Sequence, residues 1–358
     1  MNQDAVVDYL IVGQGLAGTL LGRAFERRGI SFRIVEQEKP VSSSRVAAGL
    51  VHPVTGRRRA KSWMADTFLT FNESYYNSLH RDTGELFYHA VDGLEVAATV
   101  KECNDWTARM SDPDLDHLLV GQYTDDDYKT ALQPSAGQFV MRHCGWMDLP
   151  RFLDFFRVKW SNQGILLTDT FDPTSLQLTE EFVQFNQVSA RSIIFCEGEQ
   201  ARKNPLWSWL PFDPVKGEIL TIRVPGLPQQ HIIFHGLFLV PIGNERFRAG
   251  ATYSWHELDQ IPTEQAKKDL IDKLESVLRL PFELIDHQAG IRPAVKGRRP
   301  LIGRHPKHAN VFLLNGFGSK GVLMGPWLTE NFADWLSGKG TLHPETDIAR
   351  YYIFVGDQ

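Results

Sequence analysis

The chain has 358 residues, of which 42% are hydrophobic and 23% are charged, and its formal net charge at pH 7 is −5. This length allows about two domains, because a single hydrophobic core stops growing near ~250–300 residues. The composition is that of a packed globular protein and excludes a largely disordered chain. The negative net charge creates no overall field that attracts nucleic acid, so we expect no nucleic-acid partner.

The sequence carries no targeting signal that we recognise. Residues 1–4 lack the basic start and apolar core of a secretion signal. No stretch approaches the ~18 apolar residues that a membrane span needs. The three cysteines, Cys103, Cys144 and Cys196, lack the spacing of a metal site and indicate free thiols in a reducing compartment. We therefore expect a cytoplasmic protein without a metal site, in an oligomeric state that the sequence does not indicate.

A dinucleotide-binding pattern occupies the first forty residues. An apolar strand, Val7–Val12, is followed by a G-x-G-x-x-G turn, a helix that ends near Arg28, and a second strand that ends at Glu36. The glycines permit a tight turn and a close approach to a pyrophosphate, which meets the positive end of the helix. Glu36 is placed to accept hydrogen bonds from ribose hydroxyls, which argues against NADP. The predicted cofactor contacts here are Gly13, Gly15, Leu16, Ala17, Gly18 and Glu36.

A second glycine-rich turn lies near the C-terminus. Residues 311–314 predict a strand that runs into Asn315-Gly316-Phe317-Gly318-Ser319-Lys320-Gly321, and apolar residues then recur at helical spacing. Pro326 should fit only in the first turn of this helix, which predicts a helix start near Gly321. No further strand with a terminal acid follows, so a second dinucleotide site is disfavoured. The helix N-terminus and Lys320 would instead stabilise the anion that forms at the pyrimidine edge of a reduced isoalloxazine, which favours FAD over NAD.

These motifs, together with three further stretches, resemble the D-amino-acid oxidase superfamily of flavoproteins, especially its glycine oxidase and sarcosine oxidase branches. The further stretches are Ser42-Ser43-Ser44 to Ala47-Ala48-Gly49, Gly290-Ile291-Arg292-Pro293, and Pro300-Leu301-Ile302-Gly303 running on to Gly321. The resemblance implies an α/β (α+β overall) fold with a Rossmann-like FAD-binding domain and a second, smaller substrate domain around an antiparallel sheet. The implied FAD-binding domain is discontinuous, at residues 1–84, 142–214 and 286–358, and the substrate domain takes residues 85–141 and 215–285.

The resemblance also implies site residues. Arg292 matches an arginine that grips a substrate carboxylate, with a structural ion pair as the alternative. His52 and Tyr253 could reach the substrate, but for each of them a core position is the favoured interpretation. The remaining implied cofactor contacts are Ala48, Gly49, Gly198, Gly318, Ser319, Lys320, Gly321 and Val322. Residues 290–296 lack the cysteine to which sarcosine oxidase-like members attach flavin, so we expect non-covalent FAD.

The function that these features favour is oxidation of the C–N bond of an amino acid or secondary amine by hydride transfer to flavin N5. Oxygen or another acceptor would then take the electrons. Three alternatives remain open: an oxidase domain resembling that of the tRNA wobble-uridine modification enzyme, a 2-hydroxy acid oxidoreductase, and a catalytically silent flavin-binding protein. Two basic clusters either form a solvated surface or meet phosphates or an anionic substrate: Arg57, Arg58, Arg59 and Lys61, and Lys296, Arg298 and Arg299.

Overall fold

The computed structural model describes residues 6–37, 42–56, 59–124 and 126–354. The chain forms two compact units. The first consists of Met1–Arg45, Leu149–Val215 and Ile291–Gln358, and the second of Val46–Asp148 and Lys216–Gly290. The two units are nearly equal in length. The second unit contains two stretches that the sequence places in the FAD-binding domain, residues 46–84 and 142–148. One small sheet of this unit includes strands from both stretches.

The helices and strands are numbered in chain order. The α-helices are α1 Leu16–Arg28, α2 Ser43–Val46, α3 Ala65–Thr83, α4 Val100–Met110, α5 Leu149–Asn162, α6 Glu264–Val277 and α7 Gly321–Leu336. Short 3₁₀ helices occupy Pro173–Ser175, Gly198–Lys203 and Ile348–Phe354. The strands are β1 Val7–Val12, β2 Phe32–Glu36, β3 Leu50–Val51, β4 Val54–Thr55, β5 Ala60–Lys61, β6 Tyr88–Ala90, β7 Gly93–Ala97, β8 Leu119–Gln122, β9 Gly137–Met141, β10 Gly145–Met147, β11 Leu166–Thr168, β12 Leu176–Leu178, β13 Val183–Phe185, β14 Val188–Phe195, β15 Val215–Arg223, β16 Ile232–Phe234, β17 Phe238–Pro241, β18 Arg246–Gly250, β19 Glu283–Arg292, β20 Leu301–Arg304 and β21 Val311–Asn315.

The first unit is built on a largely parallel sheet. Its central strands run β11-β2-β1-β14-β21, with every neighbouring pair parallel. β20 pairs antiparallel with β21, and β13 and β12 extend the sheet antiparallel from β14. The predicted strand-turn-helix unit is confirmed, because β1, α1 and β2 follow one another as the sequence indicates. Parallel strands expose their carboxyl ends at one edge of the sheet, where doubly wound folds bind nucleotides.

The second unit contains a large, mainly antiparallel sheet in the order β19-β15-β18-β17-β16-β7-β9-β8. Within it, β16 and β7 are parallel. The amphipathic helix α6 buries Leu270 and Leu274 in the same apolar cluster as Leu220 and Phe247 of the sheet. A smaller sheet, β3-β10-β6, holds together residues that are far apart in the chain. The Rossmann-like fold with a second unit around a mainly antiparallel sheet is therefore confirmed.

Two local predictions are wrong. The apolar run Phe234 to Val240 predicts one strand, but Gly236 adopts a positive φ of 67° and turns the chain between β16 and β17. Pro326 is not confined to the first turn of α7: the helix begins at Gly321, as predicted, but Pro326 lies in its interior. The proline therefore forfeits the hydrogen bond that an amide would make to the carbonyl of Val322.

Cys144 and Cys196 are buried free thiols, and Cys103 is a partly buried one. Burial raises the pKa of both buried thiols, which keeps them protonated and unreactive at neutral pH. None of the helices in the described part of the chain has the length and apolar character needed to traverse a bilayer.

Candidate functional site

The turn between β1 and α1 is too tight for side chains at two of its glycines. Gly13 has a φ of +102°, and a Cβ there would lie 2.6 Å from the carbonyl oxygen of Cys196. A Cβ on Gly18 would lie 1.9 Å from the carbonyl oxygen of Gly13. At Gly15, which precedes the first helical residue, a Cβ would meet only the hydroxyl of Ser44, at 3.2 Å. The backbone can therefore approach a ligand closely at the N-terminus of α1.

Glu36 lies at the end of β2, beside this turn. Its carboxylate accepts a hydrogen bond from the backbone N–H of Gln14. This bond fixes the acid against the glycine-rich loop at the distance in sequence that a ribose-binding acid requires. Ser44 adds a hydroxyl at the same place, since its Oγ accepts a hydrogen bond from the N–H of Leu16 at 3.0 Å. An acid, a hydroxyl and a helix N-terminus thus surround one loop.

Hydrogen bonds bring three distant motifs of the first unit to this loop. The hydroxyl of Ser43 donates to the carbonyl oxygen of Ile291, and the next peptides lead through Arg292 to Pro293. The carbonyl oxygen of Pro293 accepts a hydrogen bond from the N–H of Gly318 at 3.2 Å. The serine-rich segment, the segment that contains Arg292 and the C-terminal glycine-rich turn are therefore neighbours, although up to 248 residues separate the bonded partners.

The C-terminal turn leads directly into α7 and packs against α1. Gly318 has a φ of +54°, and a Cβ there would meet nothing nearer than the Cα of Ala294 at 3.9 Å. A Cβ on Gly321 would lie 2.8 Å from Cδ2 of Leu16, and one on Gly325 would lie 2.8 Å from Cδ1 of Leu20. These two glycines allow the helix starts of α1 and α7 to pack closely. The positive ends of both helices are consequently held near each other.

Lys320 stands at the N-cap of α7, and its carbonyl oxygen accepts the N–H of Met324 at 3.0 Å. Burial, followed by the nearby charge of Arg298, lowers the pKa of Lys320 to about 8. The sequence predicts a full positive charge at this position. With a pKa of about 8, the side chain is still largely charged at pH 7 but loses its charge as the pH rises through 8. Of the nearby basic cluster, Arg299 pairs with Glu345 at 2.7 Å, whereas Lys296 and Arg298 are exposed.

Gly198 begins the 3₁₀ helix that follows β14, the strand between β1 and β21. Its φ is +59°, and its carbonyl oxygen accepts a hydrogen bond from the side-chain amide of Asn315 at 2.9 Å. Asn315 also accepts the N–H of Gly316 through its side-chain oxygen, at 2.7 Å. The Asn315 side chain therefore links Gly198, an implied cofactor contact, to the start of the C-terminal glycine-rich turn. Val322 follows in the first turn of α7 and is buried.

The segment Ala47-Ala48-Gly49, which contains two of the implied cofactor contacts, belongs to the second unit. Gly49 has a φ of +70°, and a Cβ there would lie 2.0 Å from the carbonyl oxygen of Met147, so only glycine fits. The guanidinium of Arg248 donates to the carbonyl oxygen of Ala47 at 2.7 Å. Burial lowers the pKa of Arg248, and the charges of Asp148 and Asp286 partly oppose this effect. An arginine remains protonated under these conditions, so a partly buried cation holds the segment that includes Ala48.

The two other candidates of the second unit differ in exposure. Tyr253 is 60% exposed and lies beside Trp255, with ring centroids 6.4 Å apart. The interpretation of Tyr253 as a core residue is therefore wrong. His52 is partly buried, and its Nε2 lies 2.9 Å from Oε1 of Glu95. Glu95 was not predicted from the sequence, although a single acid within the otherwise apolar strand β7 was a usable signal.

The first basic cluster also lies in the second unit. Arg57 and Arg58 lie outside the described residues. Arg59 pairs with Asp105 at 3.0 Å and covers the ring of Trp106. Lys61 pairs with Asp66 at 2.8 Å. The two cations of this cluster that the structure describes are therefore engaged in local contacts.

The residues of the first unit fit FAD. The glycine-rich turn leaves space at the α1 N-terminus for a diphosphate, Glu36 is held where a ribose would lie, and a second helix N-terminus with a partly charged lysine is available for an isoalloxazine. Among the described residues, no cluster of three or more potential metal-ligand side chains offers a metal site. The fold and these groups define an FAD-dependent oxidoreductase.

Comparison with known proteins agrees with this class. Residues 8–335 match the model of the DAO family, described as FAD dependent oxidoreductase, and the chain belongs to this family. It is 24% identical over 92% of its length to the tRNA 5-methylaminomethyl-2-thiouridine biosynthesis bifunctional protein MnmC of Legionella pneumophila (strain Corby), of which 53% is covered. The chain thus spans about half the length of this relative.

Two further proteins are similar over nearly their whole length. Glycine oxidase of Bacillus licheniformis is 24% identical over 92% of this chain and 93% of its own. The crystal structure of iminodiacetate oxidase from Chelativorans sp. BNC1 superposes with a TM-score of 0.78 at 21% identity, covering 96% of this chain and 98% of the other. At this identity the structural match shows the fold alone.

Proposed function

We propose that this FAD-dependent oxidoreductase oxidises the C–N bond of an amino acid or a secondary amine, with the first unit as its FAD-binding domain and the second as its substrate domain. The observation that carries the proposal is the hydrogen bond between the carbonyl oxygen of Pro293 and the N–H of Gly318 at 3.2 Å. It ties the segment that contains Arg292 to the turn before α7, where the FAD contacts are predicted. Bound FAD would supply the hydride acceptor at N5.

Each of the proposed site residues would have a defined task in this reaction. Arg292 would hold a substrate carboxylate through two parallel hydrogen bonds, which a planar guanidinium can provide. Lys320 and the N-terminus of α7 would offset negative charge that develops beside them. His52 and Tyr253 are the other proposed substrate contacts. Glycine oxidase and iminodiacetate oxidase bear the names of a primary and a secondary amino acid, which supports this substrate class.

The test is an anaerobic screen of amino acids, amines and 2-hydroxy acids that follows loss of the oxidised flavin absorbance. Bleaching by an amino acid or a secondary amine but not by its hydroxy analogue is expected. Bleaching by hydroxy acids alone would identify a 2-hydroxy acid oxidoreductase. If no compound reduced the flavin despite a filled site, the chain would be a silent flavin-binding protein. Reoxidation with and without oxygen then separates an oxidase from a dehydrogenase.

Arg292→Ala tests the proposed carboxylate anchor. Truncation should cost about 2–5 kcal/mol, equivalent to about 30-fold to several thousand-fold in kcat/KM, on an amino acid but not on its decarboxylated amine. The anchor also orients the reacting carbon, so kcat should fall as well as KM rise. Arg292→Lys should recover only part of the loss. Equal losses on both substrates would indicate a structural ion pair instead.

A second candidate function is oxidation of an aminomethyl-uridine in tRNA. The similarity to MnmC favours it, as do the exposed Arg298, whose charge acts on Lys320, and the exposed Lys296. The discriminating measurement is binding of tRNA to the FAD-loaded chain between ~50 and ~200 mM salt. Binding that falls steeply with salt and is weakened by Arg298→Ala would support this candidate. Absence of binding at low salt would leave the small-molecule substrate.

A further inference from the structure

Between its first two glycines, the loop that joins β1 and α1 has one residue with a side chain. That residue is Gln14, and it is buried, with 4% of its surface exposed. Its side-chain amide donates a hydrogen bond to the carbonyl oxygen of Leu153, on α5, at 2.9 Å. Its own carbonyl oxygen accepts the hydroxyl of Thr19 at 3.3 Å. Together with the bond from its N–H to Glu36, these contacts fix Gln14 through three separate groups.

A second contact from α5 supports the same loop indirectly. Asp154, the residue after Leu153, accepts a hydrogen bond from the guanidinium of Arg45 in α2. Arg45 follows Ser44, whose Oγ accepts the N–H of Leu16 at 3.0 Å. Consecutive residues of α5 therefore support both the glycine-rich loop and the segment that contacts the start of α1. All of these residues belong to the first unit.

The helix α5 is itself packed firmly along α1. A Cβ on Gly22 of α1 would lie 2.6 Å from the ring of Trp160, so the two helices approach closely there. The indole N–H of Trp160 donates to the carboxylate of Glu26 at 2.8 Å, and Lys159 pairs with the same carboxylate at 2.8 Å. These contacts lie towards the C-terminal end of α1, whereas Leu153 lies beside the loop that precedes it. The two helices therefore run in the same direction, and α5 provides a fixed support for the loop.

Stability alone does not explain the side-chain amide of Gln14. Leu153 lies within α5, where its carbonyl oxygen already accepts the N–H of the residue four positions later. This carbonyl oxygen would therefore stay satisfied without Gln14. Burying a side-chain amide also costs free energy that an apolar side chain of similar length does not. Packing of the first unit would consequently be served at least as well by a methionine at this position.

Binding of a ligand to the loop gives the amide a purpose. Glycine loses more conformational freedom on ordering than any other residue, and Gly13 and Gly15 flank Gln14. A loop that becomes ordered only when its ligand arrives loses that free energy from the binding affinity. Since the two glycines have no side chains, only Gln14 can anchor this stretch from within.

We infer that α5 holds the glycine-rich loop in the conformation that binds the FAD diphosphate, and that Gln14 is the positioning residue through which α5 acts. The amide of Gln14 is directed at α5, so it acts through the backbone of the loop and not by contact with FAD. Asp154 is a second and weaker positioning residue, because it acts through Arg45 and the neighbouring Ser44. The inference concerns FAD binding by the first unit and does not depend on the substrate.

The test measures both rate constants of FAD binding, association with FAD-free protein and dissociation from FAD-loaded protein, by flavin fluorescence. If the loop is ordered in only a fraction of the molecules, the apparent association rate constant falls by that fraction and the dissociation rate constant is unchanged. Gln14→Met should raise the Kd for FAD about 3- to 10-fold, almost entirely through slower association. Asp154→Ala should show the same pattern with a change of about 2-fold, because its ion pair is partly exposed.

Glu26→Gln is the matched control. Glu26 also joins α1 to α5, but at the end away from the loop. This variant should unfold at a lower urea concentration than the wild-type protein, with both FAD rate constants unchanged. If it slowed FAD association as much as Gln14→Met, the effect would be a general loosening of the first unit, and the inference would fail.

An unchanged Kd for FAD in Gln14→Met would also overturn the inference. So would a rise in Kd carried by faster dissociation, since that is the expected result of losing a direct contact with FAD. If Gln14→Met does not fold, Asp154→Ala decides by the same two rate constants, because the Asp154 side chain is 54% exposed and its removal leaves the core intact.

Discussion

Glu36 offers the sharpest test of the FAD site, because its carboxylate has one contact in the folded chain and a second, proposed contact with FAD. It accepts the N–H of Gln14 in the folded chain, and it would accept ribose hydroxyls when FAD is bound. Glu36→Ala removes both tasks. Glu36→Gln keeps an oxygen for Gln14 but loses the negative charge that strengthens the ribose bonds. The two variants therefore divide the total effect between loop support and ribose binding.

Hydrogen bonds to charged groups contribute about 1.5–3 kcal/mol each in net terms. Glu36→Ala should accordingly weaken FAD binding by about 1.5–3 kcal/mol, which raises Kd about 10- to 150-fold. The loss of FAD-binding free energy caused by Glu36→Gln should lie in the lower part of this range. A partly buried N–H without its acceptor adds a cost of about 1 kcal/mol, so Glu36→Ala should also destabilise the FAD-free protein.

The assay titrates FAD-free protein with FAD and follows the change in flavin fluorescence, and urea unfolding of the same preparations measures stability. Glu181→Gln is the control, since Glu181 is an exposed acid of the same unit. An FAD dissociation constant unchanged by Glu36→Ala would refute the ribose contact. Loss of stability with unchanged FAD affinity would mean that the carboxylate only supports the loop.

Three other predictions concern the cofactor and the charged groups. Denaturation should release FAD into the filtrate, and yellow colour retained on the precipitated polypeptide would contradict non-covalent binding. The pKa of Lys320 is about 8 in the folded chain against 10.5 in its unperturbed state. Between these two values the unfolded chain binds more protons than the folded chain, so the free energy of unfolding should rise with pH. If urea titrations of a Lys320→Met variant showed the same rise in unfolding free energy with pH, the pKa shift would be disproved. Lys216 is buried and contacts Asp259 at 2.6 Å and the buried Glu218 at 3.9 Å, so Asp259→Ala, which removes the nearer partner of a buried cation, should unfold at lower urea concentration than the wild-type protein, and an unchanged urea midpoint would rule out a stabilising ion pair.

The parts of the fold that the sequence predicted are those whose causes are local. The strand, turn and helix at β1 and α1 follow from a short apolar run, three glycines and a glycine that ends the helix. The start of α7 was predicted for the same reason. The prediction of one strand at residues 234–240 is wrong because the apolar pattern of these residues is compatible with one strand or with two. In the folded chain Gly236 has a positive φ and separates β16 from β17, and β16 pairs with both β17 and β7. These pairings involve distant residues, so the local sequence does not indicate them.

The candidate site shows the same division. Glu36 could be predicted because it lies a fixed distance from the glycine-rich turn. The pairing of His52 with Glu95 could not, because 43 residues separate them and the contact requires the register of β7 against β16. The contact between Ser43 and Ile291 likewise depends on the completed fold. Sequence spacing indicates groups that one loop or helix brings together, whereas sheet register decides which distant groups meet.

Lys320 shows how the fold changes the chemistry of a correctly predicted residue. Its position before α7 follows from the glycine-rich turn, but its proton affinity depends on burial and on Arg298. With a pKa of about 8 the side chain is largely charged at pH 7 and loses that charge as the pH rises further. Any help that Lys320 gives to negative charge beside α7 must therefore weaken above pH 8. The contribution of the helix N-terminus does not titrate, so it persists there.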